Sequence, residues 1–94
     1  MTPDVAQGVS AELKFLLKPE WALIQEADRF RIKPPPGSNT KPDFHQLLGD
    51  ELWRIAQFVA YAHFVSISKN EDGGYTLVSR MESGNGYTIV FETA

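Results

Sequence analysis

The chain contains no cysteine. Disulfides and thiolate metal sites are therefore excluded, and nothing in the composition calls for an oxidising compartment. A long apolar run is also missing. The longest apolar stretch, residues 52–65, is interrupted by Arg54, Gln57 and His63, whereas a membrane span needs about 20 predominantly apolar residues. Residues 1–10 have neither a basic n-region nor an apolar h-region, so no secretory signal is predicted, no membrane partner is expected, and the expected location is the cytoplasm. The chain is short as well. Its 94 residues support one domain, 1–94, which buries only roughly 60–65% of the surface its unfolded form exposes. What is present suits a folded domain: 43% hydrophobic and 12% aromatic residues, a composition that a disordered segment does not reach.

The net charge of −3 hides a segregation. Residues 1–28 hold five acids against Lys14 and Lys18; residues 42–94 hold seven acids against Arg54, Lys69 and Arg80; between them Arg29, Arg31, Lys33 and Lys41 stand with no acid. An acidic body thus carries one short basic segment.

The N-terminus reads as a helix, with Thr2 as cap and Pro3 at the first helical position, where its missing donor costs nothing. Val5, Val9, Leu13, Leu16 and Leu17 recur at helical spacing, and Pro19 ends the run. Residues 19–27 suit a second short helix or a strand equally well. Arg29 to Lys33 alternates charge with Phe30 and Ile32, the pattern of a half-buried strand. Pro34, Pro35, Pro36 and Gly37 then open a Pro-rich loop over 34–39. Thr40 followed by Asp43 resembles a capping box for the main helix, which is expected to run to about His63. Gly49 followed by Asp50 offers a stop and a new cap, so a break there stays open.

The last third alternates cleanly. Segments 64–69, 75–81 and 87–93 are rich in β-branched and aromatic residues, and the spacers 70–74 and 82–86 carry hairpin chemistry. Opposing Ile67 with Leu77 and Leu77 with Phe91 places Val65, Ile67, Tyr75, Leu77, Met81, Tyr87, Ile89 and Phe91 on one face of a meander. The expected fold is α+β: two main helices packed on one face of an antiparallel sheet that contains this C-terminal three-stranded meander and the 29–33 strand.

Catalysis at neutral pH usually needs a titrating group with a positioned partner, which brings the histidines forward. On a continuous helix His45 and His63 would stand about 27 Å apart, too far to share a metal or a substrate. His63 falls on the apolar stripe and reads as a core residue. His45, near Asp43 and Asp50, is the candidate for an acid/base site, the basis of a small-enzyme alternative. No serine sits in a nucleophile elbow, and the glycine runs join strands without leading into a phosphate-binding helix start. No catalytic residue, no metal site and no cofactor is predicted, and the chain reads as a non-enzyme.

Two surfaces remain. Arg29, Arg31, Lys33 and Lys41 form a basic stripe. It reads either as protection of an exposed edge strand or as a contact for the acidic surface of a protein partner; single-stranded nucleic acid is the alternative ligand. The run Arg31-Ile32-Lys33-Pro34 resembles a stretch in small phage-encoded proteins, four residues being too few to carry a role across. The main helix is apolar over more than half its circumference, with Glu51, Arg54 and Gln57 marking a polar stripe that also holds Phe58 and Tyr61. A two-layer domain needs an apolar arc of only about 100° or somewhat more. A homodimer is expected, through Phe58, Tyr61 and Arg54 or through the terminal strand 87–93. The function expected is that of a small protein-binding module, an accessory or regulatory protein of a phage or mobile element that occludes a partner.

Overall fold

A computed structural model of the chain describes residues 2–62, 64–80 and 86–94, with the side chains of residues 60–62 and 64 outside that description. The expectations for His63, Met81 and the 82–85 turn, and for the Tyr61 side chain, therefore fall outside the described residues.

Helix α1 spans Pro3–Leu16. Thr2 Oγ1 accepts from Val5 N at 3.3 Å, satisfying one of the free N–H groups of the first turn, and Asp4 lies at the positive end of the helix dipole. Ala6, Val9, Ser10, Leu13 and Leu16 form its buried stripe. The ambiguous segment after Pro19 is a strand: β1, Ala22–Gln25, pairs antiparallel with β2, Phe30–Lys33. Glu26 N donates to Arg29 O at 2.8 Å to close the hairpin. Neither Ala27 nor Asp28 has a positive φ, so the turn lacks the glycine or asparagine signature that would announce it.

In the Pro-rich loop Gly37 adopts φ 78°, which an L side chain resists, and a single 3-10 turn follows over Ser38–Thr40. Thr40 does not cap the main helix. Its hydroxyl donates to Gly37 O at 2.8 Å, inside the loop. Helix α2 runs unbroken over Phe44–Ala62, because Gly49 sits where an apolar stripe of Phe44, Leu48, Leu52, Ile55 and Val59, all buried, continues past it. That tertiary burial outweighs the roughly 1 kcal/mol by which an interior glycine disfavours a helix.

Strands β3 (Phe64–Lys69), β4 (Tyr75–Arg80) and β5 (Gly86–Phe91) form the expected meander. Ile67 faces Leu77 as predicted, but Leu77 faces Ile89 and not Phe91. A slip of two residues keeps every side chain on its face, which is why the alternation could not detect it. The sheet order is β1-β2-β5-β4-β3, antiparallel except where β2 runs parallel to β5. Phe30, Ile32, Leu77, Tyr87, Ile89 and Phe91 point into the core, with Phe30 and Tyr87 edge to face at 6.2 Å, an arrangement aromatic rings favour. Helices α1 and α2 cover this face, α1 against β1 and α2 against β3 and β4. The chain is an α+β domain of two layers.

Candidate interaction surfaces

The basic stripe has lost half of its isolation. Arg29 Nε lies 2.7 Å from Glu26 Oε1, Arg31 Nε lies 2.9 Å from Glu92 Oε1, and Arg31 also reaches Glu26 at 3.6 Å. The Arg29 hydrogen bond, aided by Arg31, holds the Glu26 carboxyl below the usual carboxylate range. Glu92 in turn raises Arg31 above its already basic value. Among the described residues no carboxylate pairs with Lys33 or Lys41. The stripe does not guard an edge either. β2 is flanked by β1 on one side and β5 on the other, so the edge-protection reading is corrected: hairpin β1 covers one side of the strand, and the parallel pairing, with Glu92 N donating to Ile32 O at 2.9 Å, covers the other. β5 is likewise paired on both sides, which removes the terminal strand as a dimer edge.

Helix α2 carries a second correction. Glu51, expected on the outward polar stripe, is only 2% exposed. Its Oε2 accepts from Lys18 N at 3.1 Å and its Oε1 from Arg54 Nε and Nη2 at 2.9 and 2.7 Å. At about 100° per residue it sits at the border of the buried stripe, where the chain leaving α1 crosses it, so the carboxylate ties α2 to the end of α1. Arg54, proposed as an interface residue, is thereby held on the surface by an internal ion pair.

His45 is exposed, its ring tilted against Phe44 at a centroid distance of 5.9 Å. Asp50 is engaged by Gln46 Nε2 at 2.8 Å, so the structure does not assemble His45, Asp43 and Asp50 into one site. No group of three metal-ligating side chains is found among the described residues.

Among the described residues three large apolar side chains stand in solvent: Phe15 at 88%, Trp53 at 62% and Phe58 at 51% exposed. Phe58 was anticipated. Phe15 and Trp53 were not, although the signal was available: Phe15 stands about 200° from Leu13, and Trp53 about 100° from Leu52, each off the buried stripe of its helix. Trp53 and Phe58 occupy opposite flanks of the exposed arc of α2, about 140° apart. Phe58 shares the flank of Glu51. Trp53 faces β3 and, with Ala56, Gln57, Val65 and Ile67, lines an apolar groove of about 310 Å³. A larger depression of about 420 Å³, lined by Pro3, Gln7, Ser10, Ala11, Lys14 and Gln25, is mixed in character.

No protein-family model, no curated protein and no solved structure matches the chain.

Proposed function

We propose that this chain is a small non-enzymatic protein-binding module, an accessory or regulatory protein of a phage or mobile element that works in the cytoplasm by occluding a partner. The observation that carries the reading is Phe58, half exposed on the well-anchored flank of α2 beside the Glu51–Arg54 pair. Large aromatics on rigid elements are the side chains that anchor protein interfaces. Lys33 and Lys41, unmatched by any described carboxylate, favour a partner with an acidic surface. The nucleic-acid alternative is weakened by the carboxylates of Glu26 and Glu92, which sit within the very stripe a phosphate backbone would follow.

The test is quantitative affinity capture with wild type and Phe58→Asp, alongside single-stranded DNA binding at about 0.15 M salt, where weak long-range attraction is screened. The expected result is a folded protein partner whose capture falls at least about tenfold in the variant, as loss of an interface anchor worth about 1.4 kcal/mol or more would produce, with thermal unfolding unchanged. Low-micromolar DNA binding, abolished by reversing Lys33 and Lys41 to Glu, would replace this reading with the nucleic-acid one.

A further inference from the structure

The sheet has two edges, and they are not alike. β1 is four residues long, and the depressions beside it are lined by Lys14 and Lys18; short length and lysines are the usual devices that blunt an edge. β3 is six residues long, contains no proline, and pairs with β4 without a bulge. Its only charge is Lys69, at its end.

The phase of the β3–β4 ladder decides which residues face outward. Asn70 N donates to Gly74 O at 2.8 Å, and the register continues as Lys69↔Tyr75 and Ser68↔Thr76. Hydrogen-bonded and non-hydrogen-bonded pairs alternate in an antiparallel ladder. Ser68 and Ser66 therefore spend their backbone groups on β4, while Val65, Ile67 and Lys69 direct theirs to the open edge. Val65 and Ile67 are also the residues whose side chains line the groove under Trp53. Two of the three residues with outward backbone groups thus also line the apolar groove.

We propose that this edge pairs with the β3 edge of a second copy, antiparallel about a two-fold axis at Ser66, so that two five-stranded sheets become one of ten strands. In this register Val65 meets Ile67 of the partner copy twice on the groove face, and Ser66 meets its own mate on the open face. Apolar meets apolar and hydroxyl meets hydroxyl. Lys69 lies outside the paired window 64–68, so no like charges are brought together. The helix layer fits as well. α2 lies over β3 and β4, which places its symmetry mate about two strand spacings away, about 10 Å, the distance at which helices pack. Trp53 then fills the seam between the two helices. The contact strip, roughly 20 Å long and 20 Å tall, covers on the order of 400 Å² per copy in projection, roughly 800 Å² in total, the size of a weak, transient interface, and the association is correspondingly concentration-dependent in the micromolar range. This surface is separate from the Phe58 flank, so the proposed partner binding stands or falls independently of it.

The absence of native cysteine makes the register directly testable in the full chain. Ser66→Cys places two thiols across the axis at a non-hydrogen-bonded pair, where Cα atoms lie about 4.5 Å apart, within disulfide range. Ser68→Cys places them about four residues apart along the strands, roughly 14 Å, which no disulfide spans. Mild oxidation is expected to convert most of the first variant to covalent dimer and the second at least tenfold more slowly. Sedimentation of wild type should show a mass rising toward twice 10.5 kDa between about 5 and 200 µM. Val65→Pro, which removes an outward N–H and no β4 hydrogen bond, should be monomeric with an unchanged far-UV spectrum. Wild type that remains monomeric at 200 µM overturns the proposal. Equal crosslinking of the two cysteine variants also overturns it, even in a dimer, because an axis at Ser66 brings one pair of thiols together while holding the other roughly 14 Å apart.

Discussion

Glu51 offers the sharpest test of the structural reasoning, because its position on the helix wheel and its place in the fold make opposite predictions. An exposed residue on the polar face of a helix is worth little, and its replacement by alanine should change stability by at most about 0.5 kcal/mol. The structure instead places a carboxylate that is 2% exposed between the backbone N–H of Lys18 and the Arg54 guanidinium. Hydrogen bonds to a charged group contribute about 1.5–3 kcal/mol, and removing the acceptor leaves the part-buried Lys18 N–H unpaired. Arg54 side chain, 35% exposed, regains water and offsets part of that loss. Glu51→Ala should therefore cost about 2–3 kcal/mol, which for a domain of this size lowers the melting temperature by roughly 8–20 °C. Glu51→Gln keeps an acceptor without the charge and should lie between alanine and wild type. Urea unfolding with a double-mutant cycle against Arg54→Ala separates the two contacts: a coupling of about 0.5–1.5 kcal/mol belongs to the Glu51–Arg54 pair, and the remainder to Lys18. A Glu51→Ala variant within about 0.5 kcal/mol of wild type would refute the assignment of this carboxylate as the tie between α1 and α2.

Gly74→Ala should destabilise the β3–β4 hairpin, since a Cβ there would collide with Phe91 O of the neighbouring strand; the expected loss is about 1–3 kcal/mol by thermal unfolding, as for other overpacked sites. The Glu26 carboxyl titrates below its ordinary value because Arg29 and Arg31 stabilise its charged form. Its contribution is therefore present above the unfolded-state value and lost as pH falls through the lowered folded-state one. A carbon-detected NMR titration should show the low midpoint, and Arg29→Gln should move it back toward normal.

Much of the architecture was legible because its causes are local. Thr2, Pro3 and the Val5–Leu17 spacing specify α1 through capping and periodicity that need no distant partner. The alternation of residues 64–91 and the glycines between its segments specify the meander and its core face. The α+β class follows from those two patterns and the apolar stripe of α2. What the tertiary structure decided depends on groups remote in sequence. Residues 22–25 become a strand only because Phe30–Lys33 is beside them, and Phe30–Lys33 is interior only because β5, some sixty residues on, adds to it in parallel. No local pattern encodes such a pairing. Arg31 looks like a free cation until Glu92 arrives by the same route, whereas the partner of Arg29, Glu26, lies only three residues away. The β4–β5 register could shift by two residues without moving any side chain across the sheet, so periodicity was blind to it. Glu51 reads as solvent-facing on its own helix, and only the crossing of the chain at Lys18 removes it from water. Whether α2 breaks at Gly49 was settled by the buried stripe that the sheet provides. Local propensity and alternation are written residue by residue, whereas charge pairing, edge assignment and the burial of a polar group exist only once distant segments meet.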